Sequence, residues 1–118
     1  MRASIISLFV FAILVLAIIL NAIYINSIIG DLTNEVMGLE IESYIEVMSV
    51  YEKWSRHHFY ICLFTPHDKT DKVEECFLVI LEKARGGECE GFFEYKALLL
   101  NYLNDIKRVH AFSFDAIV

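Results

Sequence analysis

ASIISLFVFAILVLAIILNAIYINSIIG, residues 3–30, contains no charged side chain, and Ser4 to Ile25 is almost wholly Ile, Leu, Val, Phe and Ala. An α-helix rises about 1.5 Å per residue, so a run of this length covers the roughly 30 Å of hydrocarbon in a bilayer. A core helix of a soluble protein would carry a polar face, and none appears here before Asn21. A cleaved signal peptide has a shorter apolar region ending at a small-residue site. Ala17 and Ala22 are the nearest candidates, and neither stands in an A-x-A context. A lipoprotein anchor needs a cysteine just after the run, whereas the first cysteine is Cys62. Residues 1–30 therefore read as an uncleaved transmembrane anchor, ahead of a second unit at residues 31–118.

The flanks orient that anchor. Arg2 and the amino terminus are positive, while Asp31, Glu35, Glu40, Glu42, Glu46 and Glu52 follow with no basic residue before Lys53. Lys and Arg near the ends of a span favour the cytoplasmic side. This places the N-terminus in the cytoplasm and residues 31–118 outside the cell membrane, in a single pass. The outer region holds all 16 acidic and 9 of the 10 basic residues, a net −7. Nucleic-acid binding needs basic patches, and anionic head groups repel an acidic face. A protein partner is the better expectation, with no nucleic acid.

Pro66 and Gly86-Gly87 divide the outer region into three segments, each with helical spacing and none with strand alternation. The first spans about 39–62, with Ile41, Ile45, Met48, Phe59 and Cys62 as its apolar stripe and Gly38 marking a bend after the membrane helix. The second runs from Pro66 to about Arg85 on Val73, Phe77, Ile80, Leu81 and Ala84; Gly86 or Gly87 can take the left-handed C-terminal cap. The third runs from about Glu88 to His110 on Phe92, Leu99, Leu103 and Ile106, and its tail AFSFDAIV is expected to pack back on the bundle. The fold class expected is all-α: an N-terminal transmembrane helix followed by a three-helix up-down bundle or helical hairpin array.

Chemistry could reside in TPHDKTDKVEEC, residues 65–76. Thr65 is a preferred N-cap, Pro66 suits the first helical position, and Asp68 falls three after the cap, close to a capping box. Asp68 and Asp71 then suit the positive end of the helix. His67 opposes that dipole, and neutral hydrogen bonding to Asp71 would reconcile it. A metal site needs about three convergent ligands. His67 and Asp71 offer two, with His58, Cys62 or His110 as a third through folding. There is no H-E-x-x-H, C-x-x-C, G-x-S-x-G, P-loop or dinucleotide fingerprint. His58 and His110 read foremost as bundle-packing residues. Of Cys62, Cys76 and Cys89, two could pair outside a membrane, but Cys62 and Cys76 read better as small core residues. Trp54 reads as core before partner anchor. Asn21 and Asn26, near the outer end of the span, either bond another helix or meet water at the interface.

The order of these features resembles the bacterial family catalogued as domain of unknown function 4363. The resemblance rests on the N-terminal span, Trp54 in an acidic helix, and the His67, Asp68, Asp71, Val73 opening of the next helix. It adds a Leu-rich last helix (Leu98, Leu99, Leu103, Ile106) ending near His110, and a tail with Ser113 and Ile117. The connection from His110 to Ser113 is shorter than is usual there. The resemblance implies a small single-span helical protein of spore-forming Gram-positive bacteria. It also implies a membrane partner, a YetF-like membrane protein, and supplies no catalytic residues.

The expectation is a non-enzymatic, membrane-anchored interaction or scaffold module without cofactor, assembled with another membrane protein. The alternative is a metal- or ligand-sensing domain outside the membrane that uses His67, Asp71 and His110.

Overall fold

The structure is a computed structural model describing the backbone of residues 2–40 and 43–117 and the side chains of 2–40 and 43–110. Among these residues the chain is all-α, with four helices: α1 (Arg2–Met37), α2 (Tyr44–Phe64), α3 (His67–Gly86) and α4 (Cys89–Ile117). Short turns join them, so sequence neighbours run antiparallel. Among the described residues α1 packs on α2 and α4 and α3 packs on α2 and α4, and the backbones of the diagonal pairs do not approach closely. The three helices after the apolar run form the expected up-down array, and the outer part of α1 closes it into a four-membered bundle.

No break falls at Gly30. α1 is a single helix of 36 residues, about 54 Å long. It is the one helix among the described residues long and apolar enough to cross a membrane. Its first 20 residues are largely exposed, including Phe9, Leu14 and Leu20. From Ala22 onward a stripe at helical spacing turns inward: Ala22, Ile25, Ile29, Leu32 and Val36 are buried. The result is an elongated body of 68 × 21 × 21 Å, with the apolar part of α1 projecting from one end.

The ends of the helices are fixed by specific groups. Lys96 Nζ of α4 donates to the carbonyls of Met37 (2.9 Å) and Leu39 (3.0 Å). A cation thereby meets the negative end of α1, and the chain turns at Gly38 as expected. Gly87 ends α3 in the left-handed conformation at φ 69°, its N–H bonded to the carbonyl of Lys83, and Glu88 N–H bonds the same carbonyl at 3.0 Å. A side chain at that φ would be strained.

The apolar stripes expected on α3 and α4 are buried as read: Val73, Phe77, Ile80, Leu81 and Ala84, then Phe92, Leu99, Leu103 and Ile106. The stripe expected on α2 is corrected. Ile45 is 83% and Phe59 75% exposed, and the buried residues are Val47, Val50, Trp54 and Ile61. α2 carries apolar residues on more than one side, so three-and-four spacing fits two faces. Ile41 lies outside the described residues. The tail also differs from expectation. α4 continues as a helix through Ile117 and does not turn back after His110; the side chains of 111–118 lie outside the described residues.

Candidate interaction surface

α2 is held to α3 by one carboxylate. Glu74 Oε1 accepts from Tyr51 Oη at 2.6 Å, and Glu74 Oε2 accepts from Trp54 Nε1 at 2.7 Å. Phe77 stacks on Trp54 at 6.0 Å and lies 5.8 Å from Tyr51. Both carboxylate oxygens are thus occupied in a partly buried position, where an unmet charge would be costly. The hydrogen bond to Glu74 is the main reason the Tyr51 hydroxyl is pushed above the usual tyrosine range. Trp54 is fully buried and serves as core.

The Thr65 and Asp68 cap is corrected. α3 begins at His67, its N-cap position is Pro66, and no side chain caps it. Thr65 stands in extended backbone at the end of α2 and is buried. Its hydroxyl is 2.9 Å from His110 Nε2 on α4. Burial holds the His110 pKa below the ordinary histidine value. Asp68 is exposed, and the Lys69 and Thr70 amides bond the Pro66 carbonyl at 3.1 and 3.4 Å. His110 therefore has a structural partner, and what occupied Thr65 was a residue 45 positions away.

His67 and Asp71 are both exposed, whereas His110 is buried beside Thr65. The three are not brought together, and no group of three His, Cys, Asp or Glu able to hold a metal exists among the described residues. His58 Nε2 lies 3.3 Å from Cys62 Sγ, which is also 3.5 Å from Thr70 Oγ1. Thr70 in turn donates to the carbonyl of His67 at 3.1 Å. This chain of contacts ties the α2–α3 turn together. All three cysteines are free. Cys76 is buried, with its thiol pushed up to about 11, chiefly by burial; Cys89 is exposed at the far end of the bundle.

Four features stand where α1 enters the bundle, at two of the residues, Asn21 and Asn26, for which a helix contact is one of the readings. Tyr60 Oη of α2 donates to Asn21 Oδ1, so Asn21 meets another helix of its own chain. Tyr24 packs edge-on to Tyr60 at 5.3 Å. Asn26 Oδ1 is buried with no hydrogen-bond partner. Lys53 of α2 pairs with Glu35 of α1 at 3.3 Å. The spacing of Tyr60 along α2 gave no signal of these contacts, since its partner is 39 residues away.

Two apolar areas remain open. At the far end, Tyr44 separates two shallow hollows, one lined by Leu78, Leu81, Glu82 and Arg85, the other by Ile45, Met48, Ser49 and Glu52. At the end from which α1 projects, Phe59, Leu63 and Phe64 are exposed by 75%, 60% and 49%. Neither area carries a set of groups that could activate a nucleophile or polarise a substrate. No family model, curated protein or solved structure matches the chain.

Proposed function

We propose that this protein is a membrane-anchored helical interaction module, non-enzymatic, that assembles with another membrane protein. The observation carrying this reading is the continuity of α1, whose exposed apolar part passes without interruption into the bundle core at Ala22. A bundle built this way has no slack relative to its span. It is held at a fixed height and rotation above the bilayer, and a partner that grips the span also positions the bundle. The orphaned Asn26 Oδ1 favours a partner close to this junction.

The N-terminus lies in the cytoplasm and the bundle outside, on the strength of Arg2 against the acidic stretch from Asp31 to Glu52. The basic residues of α2, α3 and α4 begin at Lys53, more than 20 positions beyond residue 30. The charge rule does not count them, since it acts within about 15–20 residues of a span end. Membership of the family of unknown function 4363 and a YetF-like partner belong to the same proposal, carried by the order of residues alone.

The test exchanges residues 3–20 for an unrelated apolar helix and recovers the protein from native membranes. Retained membrane insertion with reduced partner recovery is expected; unchanged recovery would confine the interaction to the bundle. Topology is read from Cys89, which a membrane-impermeant maleimide should label in cells stripped of their wall. Complete protection of Cys89 would reverse the orientation.

A further inference from the structure

We infer that the end of the bundle nearest the membrane is seated in the bilayer interface and engages anionic phospholipid head groups. This rests on the proposal that α1 spans the membrane. A ruler along α1 sets the level. Some 30 Å of hydrocarbon takes about 20 residues at 1.5 Å each, so a span starting at Ala3 ends near Ala22. Burial of α1 in the bundle begins at that same residue.

α2 descends antiparallel to α1, and the Tyr60–Asn21 bond fixes their register. Leu63 and Phe64 lie up to a turn further down, about 6 Å nearer the membrane. By this register Phe59 is exposed near the level of Ala22, where the hydrocarbon meets the head groups, and Leu63 and Phe64 are exposed about 5–6 Å below it, in the outermost hydrocarbon. Tyr24 is half exposed at the same height and packs on Tyr60, and Tyr60 packs on Phe64 at 5.2 Å. Aromatic rings collect at this level in membrane proteins because they offer the lipid an apolar body and the water a polar edge. α4 continues seven residues beyond His110, about 10 Å further in the same direction, so its last turns pass below the head-group level alongside the apolar part of α1.

Charge is sorted along the same axis. Segments 56–72 and 105–110, which form this end, carry Arg56, Lys69, Lys72, Lys107 and Arg108 against Asp68, Asp71 and Asp105, a net +2. Asp115, further along α4, lowers this to +1. The described residues of 31–53 and 74–96, which form the rest of the bundle, carry eleven acidic groups against four basic ones. The acidic net charge of the outer region is therefore confined to the far end. The near end complements an anionic surface, where each added Lys or Arg strengthens attachment.

The test uses the full chain in vesicles of phosphatidylcholine with phosphatidylglycerol, containing lipids brominated at a shallow or, in a parallel set, at a deep acyl position, which quench tryptophan on contact. Three variants are compared after subtracting the signal of buried Trp54: Phe64→Trp, Leu14→Trp and Ile45→Trp. Phe59→Trp serves if Phe64→Trp does not fold. Phe64→Trp should be quenched at least twofold more than Ile45→Trp, and less so when phosphatidylglycerol is omitted. Quenching of Leu14→Trp without quenching of Phe64→Trp would overturn the seating and leave the span intact. Absence of quenching at Leu14→Trp by both the shallow and the deep label would overturn the span itself. Equal quenching of Phe64→Trp with and without phosphatidylglycerol would remove the head-group contact. Shielding of Phe64→Trp only at high protein-to-lipid ratio would assign the patch to a second copy of the chain.

Discussion

Leu14 and Leu32 are the same side chain on the same helix, yet Leu14 is 57% exposed and Leu32 is fully buried. The first part of α1 meets no other described side chain over most of its length, while the part beyond Ala22 is one wall of a bundle. The apolar run does not stop at the boundary, since Ile23, Ile25, Ile28 and Ile29 carry it past Ala22, although Asn21, Asn26 and then Asp31 and Glu35 now share the helix. What separates them is where α2 and α4 end. The comparison shows that an apolar run long enough to span a bilayer can be divided between an exposed part and a part packed in protein, and that the division is set by the partner helices.

The sharpest way to break this comparison is the same substitution in both parts. Leu32→Ala should destabilise the bundle by about 2–5 kcal/mol, the cost of an unfilled core position. Leu14→Ala should change bundle stability by no more than about 0.5 kcal/mol, as at surface sites. Both are read by urea unfolding of the full chain in mild detergent. Trp54 fluorescence is the signal, because the only tryptophan lies in the core of the part that unfolds. Equal effects would mean that the two parts of α1 are not differently packed.

A smaller effect tests the α2–α3 side. Glu74→Leu leaves the indole N–H of Trp54 and the hydroxyl of Tyr51 without their acceptor. The loss should be about 1.5–3 kcal/mol, the range for hydrogen bonds to a charged group. In Glu74→Gln the Tyr51 phenol should titrate at lower pH than in the parent protein, since the carboxylate that raises it is gone. An unshifted phenol would show that Glu74 is not its partner.

The contrast also shows what the residues disclosed. The stripes of α3 and α4 were legible because each has one apolar face and a polar remainder, so spacing admits a single answer. α2 was misread because Ile45, Phe59, Leu63 and Phe64 add apolar character to faces the core does not use. A surface that meets lipid or a partner looks like a core to any periodicity argument. The links to Asn21, Glu74 and His110 were not legible, because each joins residues 20 to 45 positions apart and depends on which helices become neighbours.

The Thr65–His110 pair sharpens the comparison at the end nearest the span. Thr65→Val keeps the shape and removes the hydroxyl, leaving a buried imidazole nitrogen unmet at about 1–3 kcal/mol. Burial also depresses the His110 pKa, which fixes the sign of the pH dependence. Above about pH 6.5 the ring is neutral in both folded and unfolded chains, so stability is undiminished. As pH falls below that value the unfolded ring takes up a proton that the folded ring does not. Stability therefore declines until the folded pKa is passed. His110→Gln should lose this component of the acid dependence, and an unchanged profile would assign it to other groups.

The smallest effect comes from Asp68, and it decides between two accounts of the α2–α3 turn. If Thr65 and Asp68 capped α3, removing either would cost about 1 kcal/mol. In the structure the cap position is Pro66, Asp68 is exposed, and Thr65 is engaged with His110. Asp68→Ala should then change stability by less than about 0.5 kcal/mol, retaining only a weak interaction with the helix dipole that salt screens. Thr65→Val should cost clearly more, and most of its cost should vanish in a His110→Leu background, where no buried nitrogen is left to satisfy. Measuring all four combinations of Thr65→Val and His110→Leu gives the coupling directly. A coupling near zero together with equal costs at Thr65 and Asp68 would restore the capping account and detach α4 from the α2–α3 turn.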